Sequence, residues 1–187
     1  LNSILGWAQL LRTRKFSEDA VARALETIER NAKSQAQLLE DLLDVSRMIQ
    51  GKLQIHTCAI ELTPIIETAM DTAYPPANAK GIQLESSLAS DIGKISGDPN
   101  RLQQVLANLL SNAIKFTPEG GMISVRLERL EGGNKQKVSY AQITVSDTGQ
   151  GINPEFLPYV FDRFRQSGSG SKKGGLGLGL AIARHLI

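Results

Sequence analysis

Apolar side chains recur at alternating intervals of three and four between residues 19 and 49, with no proline or glycine to interrupt them. The row runs Val21, Leu25, Ile28, Ala32, Gln35, Leu39, Leu42, Ser46 and Ile49, a heptad seam made imperfect by Ala32, Gln35 and Ser46. A helix this long cannot bury such a stripe against itself and needs a neighbour. Residues 1–14 supply one: Leu1, Ile4, Leu5, Ala8 and Leu11 form a second helical stripe, and residues 15–17 are enough for an antiparallel hairpin. Two helices make a poor core, so the pattern predicts a homodimer through residues 1–50, closed as a four-helix bundle.

The periodicity changes at Gly51, which marks a domain boundary near residues 50–53 and leaves residues 54–187 as a second domain. The fold class is α+β. Residues 54–62 read as a strand, 64–80 as a helix and 82–88 as a second strand. Asp98, Pro99 and Asn100 open a helix running to about Phe116, since proline is tolerated in a first turn where its missing amide has no intrahelical partner. After a turn at residues 117–121, residues 122–130 and 140–147 alternate as an antiparallel pair around Gly132 and Gly133. No internal repeat is present, and residues 167–175 form a Gly/Ser-rich loop. Both ends are expected to be cut from longer helices: the chain starts amphipathic without a cap and stops at Ile187 in mid-pattern.

Composition narrows the partners. The 187 residues are 41% hydrophobic, and 21 basic against 19 acidic side chains leave a net charge of +2, so no nucleic-acid track is expected. The single cysteine, Cys58, excludes an intramolecular disulfide and a multi-thiolate metal site. No apolar run is long enough to span a bilayer, and a reducing cytoplasmic setting fits.

Three strings carry chemistry. Asn108 and Asn112 stand four apart on one helical face with Gln104 and Lys115 nearby; amide oxygens suit magnesium, and lysine suits a phosphate, although the row also fits a plain solvated face. Asp147 closes a strand and is followed by Gly149, Gly151 and Ile152. Its carboxylate can accept a hydrogen bond from an exocyclic amine such as that of adenine, while the same string would equally serve as an ordinary turn or cation loop. Gly175, Leu176, Gly177, Leu178 and Gly179 lead into a helix whose free amides favour phosphate oxygens. That turn follows a loop and not the first strand of a βαβ unit, which sets a dinucleotide fold aside; a G-x-x-x-x-G-K-[ST] loop is absent.

In this order, Asn108-x3-Asn112 with Lys115 and Phe116, Asp147-x-Gly149-x-Gly151, Phe161-x2-Phe164 and Gly175-x-Gly177-x-Gly179 resemble the asparagine, first glycine, phenylalanine and second glycine boxes of sensor histidine kinases. The seam of residues 19–49 resembles that family's dimerisation and phosphotransfer hairpin, so the likeness covers nearly the whole chain. It implies an α/β-sandwich ATP-binding domain after the hairpin, with ATP and Mg2+ as cofactors, a response-regulator receiver domain as partner and an upstream sensor domain in the parent protein. By the same resemblance Asn112 is the magnesium ligand, Asn108 a second metal or phosphate contact with a catalytic role, and Lys115 a phosphate or ribose contact. Asp147 reads adenine beside Gly149, Gly151 and Ile152, and residues 175–179 wrap the phosphates under a lid of residues 162–174 anchored by Phe161 and Phe164. Gln104 occupies the family's frequent glutamate position, which weakens a general-base role.

The family's phosphoacceptor histidine lies in an H-E-L-R-T-P-like run just upstream of a segment resembling residues 1–4. His56, expected in a strand, and His185, in the closing helix, lack that context and read as structural. The chain by itself is therefore expected to bind ATP without phosphorylating itself. Gyrase-type and MutL-type ATPases share the nucleotide fold, but the helical hairpin ahead of it argues against them; a dimeric nucleotide-binding scaffold without turnover is the non-enzyme alternative.

Overall fold

The computed structural model describes residues 2–131, 139–166 and 176–187, and the chain divides into two units, Leu1–Leu53 and Gln54–Ile187. In the first, α1 (Asn2–Thr13) and α2 (Glu18–Ile49) form the expected hairpin, with Ser17 at the α2 N-cap and Glu18 and Asp19 complementing the helix dipole. Gly51, at φ +64°, ends α2: its amide donates to the Met48 carbonyl and that of Lys52 to Arg47, the paired bonds of a Schellman motif. The stripe of α1 differs from expectation. Ile4, Trp7 and Leu11 are the half-buried row, whereas Leu5 and Ala8 are exposed. Trp7 offers more area than either, and its ring meets Phe16 edge-on at 6.5 Å.

Helix α1 has 12 residues and α2 has 32, so α1 is shorter by about 30 Å and cannot cover its partner. Val21, Ala24 and Ile28 are shielded, while Leu25, Leu39, Leu42 and Ile49 from the predicted seam stay exposed, Leu39 at 64% and Ile49 at 66%. Among the described residues no helix is long and apolar enough to cross a membrane.

The second unit is an α/β sandwich. Helices α3 (Leu62–Asn78) and α4 (Pro99–Phe116) pack on a sheet ordered β2 (Gln83–Leu88), β4 (Met122–Glu131), β5 (Ser139–Asp147). The β4–β5 pair is antiparallel as expected, with Ile123 opposite Asp147, whereas β2 joins β4 in parallel, with Gln83 opposite Met122. The predicted strand at 54–62 shrinks to β1 (Cys58–Ile60), because only those residues find a partner, β3 (Ile95–Gly97). Three residues were too few for β3 to declare itself by alternation. His56 therefore precedes β1, outside any strand.

Ile66, Ala69, Ala73 and Ala77 of α3 and Leu106, Leu110 and Ala113 of α4 meet Ile123, Val125 and Leu127, which alternate along β4. Each fully buried Leu or Ile contributes about 1.5–3 kcal/mol relative to leaving it exposed. This packing turns the opposite side of α4, with Asn108 and Asn112, away from the core.

Asp98 starts α4 and also ties down the chain before β1. Its Oδ1 accepts from the amides of Asn100 (3.0 Å) and Arg101 (3.3 Å), and Oδ2 accepts from His56 N (2.9 Å). The His56 amide, more than the two helix amides, holds the carboxyl below the usual aspartate range. A depressed folded-state value stabilises above the unfolded aspartate value, about pH 4, and that contribution disappears as pH falls through the depressed value. Asp98→Ala should cost about 1–2 kcal/mol at neutral pH, with a smaller difference from wild type in acid. Urea denaturation at pH 7 and pH 3 checks this; a gap between the two proteins that is the same at both pH values would refute it.

Candidate nucleotide site

The polar row of α4 survives in the fold: Gln104, Asn108, Asn112 and Lys115 are all half-buried. Gln104 Oε1 accepts from Arg101 Nη1 at 2.9 Å. Asn108 Nδ2 donates to the Gly179 carbonyl at 3.3 Å, and a Cβ on Gly179 would stand 3.3 Å from Asn108 Oδ1. The first asparagine thus binds the second glycine string to α4, a contact that spacing alone does not reveal. The Lys115 ammonium lies 4.7 Å from the Phe116 ring centroid.

Asp147 closes β5 and is exposed. Its Oδ1 accepts from Gly149 N at 2.8 Å, so the first glycine orients the carboxylate. A Cβ on Gly149 would overlap that oxygen and lie 2.9 Å from the Phe116 carbonyl oxygen. Side chains are excluded there by close backbone approach, the reason glycine is required. Thr148, which the motif leaves unspecified, pins the turn to β4: its Oγ1 accepts from Met122 N at 2.9 Å, and its amide donates to Met122 O. Gly151 adopts φ +70°, and Ile152 beside it is exposed.

In the second glycine string, Gly177 adopts φ +70° and accepts from Phe164 N at 3.0 Å; a Cβ there would lie 2.6 Å from Arg165 O. Leu176 is half-buried, Leu178 is buried, and Gly179 opens α5 (Gly179–Leu186), which carries the exposed His185. Gly175 and residues 167–174 of the expected lid lie outside the described residues. Phe161 and Phe164, expected to anchor the lid, lie outside any α-helix. Both rings are exposed, Phe164 has φ +62°, and among the described residues the only helical turn nearby is a 3-10 turn at Leu157–Tyr159. The chain there is held by its backbone bond to Gly177 and by cations over rings: Arg165 3.8 Å from the Tyr159 centroid, Arg184 5.3 Å from that of Phe161.

Two strings far apart in sequence therefore converge on α4, the first glycine string at Phe116 and the second at Asn108. Residues 97–187 match the family of histidine kinase-, DNA gyrase B- and HSP90-like ATPases, and residues 1–51 match the His kinase A (phospho-acceptor) domain. An ATPase-type sandwich preceded by a phospho-acceptor helical hairpin is thus the class that fold and matches define.

The relatives agree. The chain is 36% identical over 227 aligned residues to hybrid signal transduction histidine kinase D of Dictyostelium discoideum, covering all of this chain and 15% of that protein. It is 34% identical to sensor protein GacS of Pseudomonas syringae pv. syringae and to signal transduction histidine-protein kinase BarA of Escherichia coli K12, in each case over all of this chain and 20% of the relative. Among solved structures, full-length ShkA in complex with AMPPNP superposes with a TM-score of 0.73 at 28% identity, over 99% of this chain and 37% of that one. The mycobacterial sensor histidine kinase MprB gives 0.56 at 28% identity, over 71% and 78%. The chain belongs to the sensor histidine kinases, and it spans 15–20% of the length of these three curated relatives.

Proposed function

We propose that the chain is the catalytic core of a two-component sensor histidine kinase, binding Mg-ATP and passing the γ-phosphate to a histidine and thence to an aspartate of a response-regulator receiver domain. The observation that carries this is the convergence of the Asp147 and Gly177–Gly179 turns on the amide row of α4. In this reading residues 54–187 are the catalytic ATP-binding domain and residues 1–50 the dimerisation and phosphotransfer hairpin, in a cytoplasmic setting.

Asp147 accepts from the adenine amine through the oxygen that Gly149 N does not occupy, with Gly149, Gly151 and Ile152 shaping the base pocket. Residues 175–179 offer backbone amides and the α5 dipole to the phosphates, and Lys115 adds a positive charge. The donor set fits magnesium: Asn112 contributes a hard neutral oxygen, and the remaining positions fall to phosphates and water. When bound, the metal neutralises phosphate charge during in-line transfer. Asn108, engaged with Gly179, aligns the phosphate turn and is the second contact to the metal or phosphates. Gln104, an amide without basic lone pairs, orients and does not abstract a proton.

Calorimetric titration of Mg-ATP into the chain tests the reading; absence of binding at millimolar nucleotide would overturn it. The hairpin makes a separate prediction, a homodimer through the exposed Leu25, Leu39, Leu42 and Ile49 row of α2. Leu39→Glu combined with Leu42→Glu should turn a dimer into a monomer in multi-angle light scattering, each desolvated carboxylate opposing association. A wild-type monomer at high concentration would count against dimerisation.

A further inference from the structure

Lys80 follows α3 and belongs to none of the motif strings. Its ammonium donates to the carbonyls of Ile114 (2.6 Å), Lys115 (3.3 Å) and Thr117. Three donors meet three carbonyls at the end of α4, where backbone acceptors lack intrahelical partners and the helix dipole favours a cation. The basic residue in α4's own last turn, Lys115, lies over the Phe116 ring. Thr117 is buried, yet among the described residues its Oγ1 has no hydrogen-bond partner, so its hydroxyl does not fix the turn. Between the carbonyls that Lys80 gathers lies that of Phe116, which packs on Gly149, and Gly149 N holds the Asp147 carboxylate.

We propose that Lys80 is a positioning residue of the nucleotide site: by gathering the α4 C-terminal carbonyls it sets the distance between Lys115 and Asp147, the phosphate and adenine ends of the site. The proposal rests on the nucleotide reading above. Lys80→Met removes the donors and keeps most of the side chain's length. Lys80→Arg keeps the charge, but its planar fork cannot reproduce three convergent donors.

The test measures Mg-ATP affinity by calorimetry and, without nucleotide, the Gly149 amide resonance by NMR, in the whole 187-residue chain. Lys80→Met should bind about tenfold more weakly, the order expected for losing hydrogen bonds to a charged group, and should displace the Gly149 resonance. Lys80→Arg should fall between it and wild type. Wild-type affinity in Lys80→Met, or weaker binding with an unmoved Gly149 resonance, overturns the proposal. Should Lys80→Met not fold, Lys80→Arg is read by the same two measurements, and wild-type values in both overturn it. If wild type itself fails to bind Mg-ATP, the nucleotide reading falls, while the Gly149 resonance still decides whether Lys80 controls the turn.

Discussion

Asp147→Asn should weaken Mg-ATP binding by about a hundredfold, the upper part of the range for hydrogen bonds to charged groups, with the fold intact. The carboxylate accepts on both sides, from Gly149 N through Oδ1 and, in the proposed complex, from the adenine amine through the other oxygen. Asparagine has one acceptor and one donor. With its oxygen toward Gly149 it turns an NH2 group at the adenine NH2; flipped, it loses Gly149 and releases the turn. Inosine triphosphate, with a carbonyl where adenine carries the amine, should recover much of the lost affinity for the asparagine variant. Equal affinities of wild type and Asp147→Asn for Mg-ATP would remove Asp147 from base recognition.

The second large effect is steric. Gly149→Ala places a methyl group against the Asp147 carboxylate and the Phe116 carbonyl, and the latter is backbone that cannot rotate away. Relief requires the end of α4 to shift, at about 1–3 kcal/mol for an overpacked site, together with loss of the Asp147 orientation. Gly151→Ala is the control. It has φ +70° but open space around its Cα, so it meets only the left-handed penalty of about 1–2 kcal/mol. Thermal melts and Mg-ATP titration of both variants check the ordering: Gly149→Ala should lose nucleotide binding nearly completely and Gly151→Ala only in part. The reverse order would mean that the contact between α4 and the first glycine string does not organise the site.

Much of the fold was legible because it rests on local periodicity. The α2 repeat, the Asp98–Pro99 start of α4 and the alternation of β4 and β5 each announce their element from neighbouring residues. What failed was short or depended on a partner. β3 has three residues, residues 54–57 read as strand but find no ladder, and Trp7 displaced Leu5 and Ala8 from the inner row of α1 because area, not spacing, chose between adjacent stripes. Residue type does not announce the exposure of Phe161, whose ring meets the Arg184 cation, or of Phe164, which sits on strained backbone at φ +62°.

For the candidate site the division is sharper. Residue types and their order name the strings, since an amide row on one helical face and glycines at turns are consequences of covalent geometry and of the period of the helix. Residue types and spacing therefore mark out the candidate residues and where helices and turns place them locally. Which of them meet follows from long-range packing: Asn108 with Gly179, Phe116 with Gly149, Asp98 with His56, and Lys80 with three carbonyls more than thirty residues away. Those contacts arise from burying Ile66, Leu106, Leu110 and Ile123 in one core, a cooperative outcome of the whole chain that no local spacing encodes.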